Sequence, residues 1–383
     1  MERIYLDYAA TAPVLPEVMD AMLPFFLKNY GNPSGVYKEG RETRKAVEEA
    51  RRKIASVLGA ESREICFTSG GSESDNLAIK GTALSLKNKG NHIVTSRIEH
   101  PAVLNTCIWL EKHGFRVTYL SPDSSGLIHP EAVDEVICAE TILVSIMTAN
   151  NEIGTIQPVA EIGEICRQKG IVFHTDAVQA VGQIPTNVRD MNADLMSLSA
   201  HKFHGPKGIG ALYIRNGIRL DPVIHGGKQE RGIRAGTENV PCIVGMGEAI
   251  RIADTEREEN SQRILGLRNM LIKEVYKRIP GARLNGHPVQ RLPNNCHFSF
   301  DGVESEALLL RMDLAGISVS GGSACSSGSM EPSHVLQAIG LNEGMLKGSI
   351  RLTLGRGTTP DEIKKTAQIM QEIVEDLLRL RGL

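Results

Sequence analysis

Short apolar runs punctuated by turn residues recur along the first two thirds of the chain, and most are followed by a stretch of helical length. Residues 64–68, 93–96, 115–120, 141–147, 171–176 and 194–199 each have strand composition, and 208–214 reads as a partner of the last of these. Before them come an extended segment at 4–10, a helix begun by Pro13 and Pro16, a turn at 31–34 and a charge-rich helix over 38–58. Gly59 suits the position just past that helix, and its Arg, Lys and Glu residues read as a solvated face. Strand–helix alternation predicts a largely parallel sheet covered on both faces, with functional groups in the loops after the strands.

The pattern changes near residue 255. A long polar helix is followed by an apolar strand at 295–300, a helix at 304–314 and a short strand at 317–319. A glycine- and serine-rich loop, a strand at 349–354 and a last helix complete the chain. Thr359, Pro360 and Glu362 supply the N-cap, first position and capping-box acid of that helix. The expected division is a large domain over 16–255 and a smaller α/β domain made of 1–15 with 256–383.

Composition narrows the classes. With 383 residues the chain is long enough for two or three domains, and a net charge of −2 leaves no footprint for nucleic acid or an anionic membrane. No apolar run reaches spanning length and residues 1–7 do not resemble a signal peptide, so a cytoplasmic address is the default expectation. Seven cysteines without a C-x-x-C pair argue against a disulfide framework and against a zinc or other metal site. Cys66, Cys107, Cys138, Cys166, Cys242 and Cys296 sit beside apolar residues and are expected to be buried. Cys325 lies among glycines and serines, where nothing is expected to pack the thiol away, which suits a mobile nucleophile or an incidental surface thiol.

Two strand exits carry the candidate chemistry. Lys202 follows the strand at 194–199, and Asp176 ends the strand at 171–176. A desolvated lysine able to form a Schiff base, with an acid placed for a pyridinium nitrogen, is how proteins hold pyridoxal phosphate. A plain surface lysine is the alternative. Gly70, Gly71 and Ser72 between strand and helix offer backbone N–H groups to a phosphate, although Ser72 with Asp75 also fits a capping box. Neither the dinucleotide nor the P-loop glycine pattern is present. Ser199 and His201 are further phosphate donors, and His100 at a helix start should stay neutral, suited to stacking on a ring and accepting a proton. Asn151 and Gln179 are placed to bond the ring's phenolic oxygen. Arg351 on an apolar strand needs a partner, either a substrate carboxylate or an internal salt bridge.

Together these residues resemble the cysteine desulfurases of the NifS/IscS type, of the class-V aminotransferase group. The resemblance runs from Tyr5-Leu-Asp-Tyr-Ala-Ala-Thr11 to Ile350-Arg-Leu-Thr-Leu-Gly-Arg356. It rests on Thr68-Ser-Gly-Gly-Ser-Glu-Ser74, Glu99-His100, Ala149-Asn-Asn-Glu-Ile-Gly154 and His174-Thr-Asp-Ala-Val-Gln179. Ser199-Ala-His-Lys202, Gln229-Glu-Arg-Gly-Ile-Arg-Ala-Gly-Thr237 and Ser323-Ala-Cys-Ser-Ser-Gly-Ser-Met-Glu-Pro332 extend it. Ser72 stands where threonine is common and Gly321 where serine is common.

The resemblance implies an α/β aspartate-aminotransferase-like fold (PLP fold type I) whose large domain holds a mostly parallel seven-stranded sheet. It implies pyridoxal 5'-phosphate on Lys202, Asp176 on its ring nitrogen and His100 stacked on the ring. It also implies a homodimer in which Thr237 reaches the other subunit's phosphate, and a substrate carboxylate held by Asn32, Asn151 and Arg351. Cys325 would attack the sulfur of L-cysteine, with Lys202 moving the Cα proton and His100 managing the thiol's proton, leaving L-alanine and a persulfide. That sulfur would pass to an acceptor protein such as an iron–sulfur scaffold or a tRNA-thiolating enzyme. Selenocysteine lyase and a class-V aminotransferase are the rival activities, and a non-catalytic adaptor is the rival outside enzymes.

Overall fold

The computed structural model describes residues 3–321 and 332–382; Cys325 and the loop predicted around it lie outside these. The chain opens with β1 (Ile4–Tyr5), α1 (Pro16–Met22), α2 (Pro24–Leu27) and α3 (Lys38–Leu58). It continues through β2 (Ile65–Thr68), α4 (Gly71–Ser85), β3 (His92–Ser96), α5 (Pro101–Glu111), β4 (Arg116–Leu120) and α6 (Pro130–Val136). Next come β5 (Thr141–Ser145), α7 (Val159–Lys169), β6 (Val172–Asp176), β7 (Leu195–Ser199), β8 (Gly210–Ile214) and α8 (Val240–Arg278). The remainder is β9 (Arg283–Leu284), β10 (Asn295–Ser299), α9 (Ser305–Leu314), β11 (Ile317–Ser318), α10 (His334–Ala338), α11 (Glu343–Lys347), β12 (Ser349–Thr353) and α12 (Pro360–Leu380).

Seven strands form one sheet in the order β2-β8-β7-β6-β5-β3-β4, parallel except for β8, which runs antiparallel to both its neighbours. Successive strand residues point to opposite faces, and here the two faces fill two cores. Ile93, Leu143, Val172 and Leu195 join Leu77 of α4 and Val103 of α5. Their chain neighbours Val94, Val144, Phe173 and Met196 join Val47 of α3 and Val240 of α8 on the other side. Burial on both faces is why these strands are apolar runs rather than alternating ones.

A second core lies farther along the chain. β12, β10 and β9 form a small sheet, β1 pairs in parallel with β11, and their apolar residues pack on α9 and α12. The helix α8 is continuous across residue 255. Its residues Val240 to Ile252 belong to the large sheet's core and Ile264 to Val275 to the second.

Three local expectations are corrected. Arg51 leaves the solvated face of α3 and is buried, because Glu230 waits for it inside. Ser72 does not cap α4; Gly70 is the N-cap, without a side-chain bond. Cys138 and Cys242 are half-buried, whereas Cys66, Cys107, Cys166 and Cys296 are buried. Gly59 and the Thr359–Glu362 capping box take the geometry predicted for them.

Candidate active site

The carboxyl ends of β3, β5, β6 and β7 open onto one cavity of about 610 Å³. Its floor is set by strand geometry. Asp176 is the last residue of β6, buried, with Oδ1 accepting the Val178 N–H at 2.9 Å. Burial pushes its carboxyl above the usual range, while His100, that N–H and Lys202 pull it back. Lys202 follows β7 by a single 3-10 turn, and its Nζ donates to the Ala9 and Ala10 carbonyls at 2.6 and 2.8 Å. Gln179 donates to the same Ala9 carbonyl at 3.0 Å. The N-terminal segment is therefore tied to the lysine by its backbone.

His100 caps α5. Its Nδ1 accepts the Ala102 N–H at 3.1 Å, and burial holds its ring below the ordinary imidazole range, with Asp176 opposing and Lys202 and His334 reinforcing that effect. The neutral ring suited to stacking is thus the favoured form.

The opposite end has the shape of an anion site. Gly71 opens α4, a helix of 15 residues whose first N–H groups have no partner within the helix. A Cβ at Gly71 would lie 2.8 Å from Val178 Cγ2, and one at Gly210 would lie 2.7 Å from Gly70 Cα. Both glycines are required by close packing. Ser72, Ser199 and His201 line the cavity beside this helix end. Burial, aided by Lys202 and Lys207, lowers the His201 ring to about 4, leaving it neutral. Glu73 takes the Ser69 N–H at 2.8 Å and an ion pair with Arg234 at 2.8 Å, which turns this acid away from the cavity.

The third wall comes from distant parts of the chain. Arg351 on β12 is buried, donates Nη1 to Asn151 O at 2.8 Å and meets Asp7 Oδ1 through Nη2 at 2.9 Å. The internal salt bridge is therefore present, on a side chain that also lines the cavity. Asn150 shapes the adjoining turn, its Oδ1 accepting the N–H groups of Glu152 and Ile153 at 2.9 Å each.

Sequence reasoning passed over several groups at this site. Glu152 lines the cavity and accepts Ser333 Oγ at 2.5 Å; His334 lines it too, bonded through Nε2 to Glu99 O at 2.9 Å. Glu99 is fully buried, its Oε1 taking Ser96 Oγ at 2.6 Å and the Met147 N–H at 3.0 Å. Burial raises its carboxyl to about 8. Asp75 also faces the cavity, pushed well up by burial and by Asp176. Glu99 and Glu152 sit in motifs already quoted; nothing local marks His334.

Gly71, Ser72, His100, Asn151, Asp176, Gln179, Ser199, His201, Lys202 and Arg351 all line this single cavity. Asn32 and Thr237 do not. Asn32 is exposed, its Oδ1 accepting the Ser34 N–H at 2.9 Å, and Thr237 is exposed beside Phe67 and Ser69 in a separate pocket. The donor set fits pyridoxal phosphate: an amine, a buried carboxylate for a ring nitrogen and a helix start with hydroxyl and imidazole donors for a phosphate.

The class-V aminotransferase family profile matches residues 4–366. The chain is 53% identical over 382 residues to the cysteine desulfurase IscS of Methanosarcina thermophila, covering 100% of this chain and 94% of that one. Among solved structures, a NifS-like protein superposes with a TM-score of 0.92 at 38% identity, covering 98% of this chain and 100% of its own. SspA in complex with cysteine does so with a TM-score of 0.80 at 40% identity, covering 92% and 98%. Matches of this extent reach both cores and every wall of the cavity, and they make the chain a pyridoxal-phosphate-dependent member of the class-V aminotransferase family, alongside its cysteine desulfurases.

Proposed function

We propose that this chain is a cysteine desulfurase that takes sulfur from L-cysteine, releases L-alanine and holds the sulfur as a persulfide on Cys325. The observation that carries this reading is the convergence of Lys202, Asp176 and Arg351, far apart in sequence, on one cavity. When bound, pyridoxal phosphate supplies an electron sink for the substrate's Cα. Asp176 would hold the charge of the ring nitrogen, and His100 would form the wall against which the ring lies. Gly71, Ser72, Ser199 and His201 would hold the phosphate at the start of α4, while Asn151 and Gln179 would address the phenolic oxygen. Lys202 carries the proton at the substrate Cα. Arg351 exchanges Asp7 for the substrate carboxylate, and Asn151, which lines the same cavity, completes that grip.

Cys325 then attacks the substrate sulfur. A sulfur–sulfur bond forms, the carbon–sulfur bond breaks, and its electron pair stays with carbon, which gains a proton and leaves as alanine. The exposed position of Thr237, away from its own cavity, suits a homodimer in which it reaches the phosphate of the second copy. The two hydrophobic cores support a large domain over 16–255 and a small one of 1–15 with 256–383. A cytoplasmic enzyme that hands its sulfur to a scaffold or thiolating protein completes the reading. Among the described residues no helix is long and apolar enough to cross a membrane.

The test is direct. After brief exposure to L-cysteine, the parent should release alanine and gain one sulfur on Cys325 by intact mass and peptide mapping. Cys325→Ser should bind cofactor and gain none, and Lys202→Ala should lose both the visible absorbance and turnover. Full desulfuration by Cys325→Ser, or sulfur carried on another cysteine, overturns the assignment.

A further inference from the structure

Of the three imidazoles that line this cavity, His100 and His334 have opposite nitrogens engaged. His100 accepts the Ala102 N–H on Nδ1, so its neutral ring carries the hydrogen on Nε2. Taking up a second proton would put an N–H on Nδ1, pointing at another N–H, and would forfeit the helix cap. His334 is the reverse case. Its Nε2 lies 2.9 Å from the Glu99 carbonyl, which only accepts, so the ring donates there and Nδ1 is its accepting nitrogen.

Place in the cavity separates the two further. His100 stands in the field of Asp176 and Lys202, on the floor. His334 opens α10, meets the Glu99 carbonyl just before α5, stands near the N-cap His100 and Glu152 of the 150–154 turn, and lines the cavity together with Arg351 of β12. That is the side on which the carboxylate of an amino acid is held. An amino acid arrives at neutral pH with its nitrogen as ammonium, and the nitrogen needs its electron pair before it can react. An imidazole beside the carboxylate grip, with a free choice to become cationic against a carbonyl, meets that need.

We propose that His334 is the proton acceptor for the substrate's α-ammonium group. One N–H bond of the ammonium breaks, an N–H bond forms at His334 Nδ1, and the electron pair stays on the amine. The positive charge passes to an imidazolium whose other N–H is already seated on Glu99 O. The inference rests on the reading of the cavity as an amino-acid site.

In holoenzyme labelled with ¹⁵N-histidine, both rings should show the Nε2–H that their hydrogen bonds call for. Saturation with L-alanine, which has no sulfur to give, should add a proton to His334 and leave His100 neutral. His334→Gln keeps a donor for Glu99 O without a basic nitrogen. It should lower kcat/KM for L-cysteine about 10²-fold near neutrality, the scale of a lost general base. That deficit should shrink as pH rises, because more substrate then arrives as free amine. A His334 ring that stays neutral with L-alanine bound, or a His334→Gln enzyme with the parent's rate and pH profile, overturns the proposal. Should His334→Gln fail to fold, the ring measurement on the parent decides. A parent that makes no alanine from L-cysteine sinks the desulfurase reading instead, and the response to L-alanine is read separately.

Discussion

Arg51 and Arg351 are both buried and both meet a carboxylate, yet they are built for different ends. Arg51 is saturated. Its Nη1 and Nη2 grip both oxygens of Glu230 at 2.7 and 2.8 Å, Nη1 also meets Ile65 O at 2.8 Å, Nε meets Glu48 at 3.1 Å, and the guanidinium lies 4.6 Å from the centre of the Phe67 ring. Among the described residues Arg351 meets one oxygen of Asp7 and the Asn151 carbonyl, and it lines a cavity. Glu230 is 3% exposed and Asp7 18%, so only the second carboxylate has water to move into. A buried ion pair closed on itself is scaffold; a pair with one leg in a cavity can change partners. Glu99 shows a third solution: among the described residues it has no cation, and burial raises its carboxyl to about 8.

The sharpest way to break this contrast is Arg51→Met. Leaving Glu230 buried without its partner should cost about 3–5 kcal/mol of stability, read from denaturant midpoints, with KM for L-cysteine unchanged where the protein is folded. A raised KM with normal stability would reverse the roles of the two arginines. Arg351→Gln should do the opposite, raising KM for L-cysteine about 10- to 100-fold, the worth of a lost charge-assisted bond of about 1.5–3 kcal/mol. An unchanged KM with a lower melting temperature would make Arg351 scaffold as well.

Glu99 gives a pH test. Its carboxyl is raised from 4.5 to about 8 in the folded chain, so the folded state holds the proton more tightly than the unfolded one. The stability this lends is present below about pH 4.5 and is lost as pH rises toward 8, at a slope of about 1 kcal/mol per pH unit. Urea midpoints between pH 5 and pH 8 should show this fall in the parent, and Glu99→Gln should flatten it. An identical slope in both would move the proton elsewhere. The smallest effect is expected from Asp7→Asn, which removes the competitor for Arg351 and should lower KM by less than tenfold, below about 1.4 kcal/mol. A rise in KM would make Asp7 a strut that aims the guanidinium.

The candidate site was legible wherever local geometry alone sets a side chain's place. Asp176 and Lys202 follow from where a buried strand ends, and His100 from a helix start before Pro101. The capping reading of Ser72 was misplaced because Gly70 already occupies the N-cap position. Arg51 misled for a different reason: a helix face crowded with charge looks solvated whichever of its members has a partner elsewhere.

By itself the sequence determined the strand–helix alternation, the two strand exits and the helix caps, since each depends on neighbours a few residues away. Tertiary structure alone decided which distant groups meet. Asp7 is brought to Arg351 by β1 pairing with β11 beside β12 and by the bridge from Asp7 to Thr353. Glu230 is brought to Arg51 across 179 residues, and His334 to Glu99 across 235. No periodicity records such meetings, because a pairwise contact between remote residues depends on how whole elements pack, and the local pattern is the same whether or not the partner arrives.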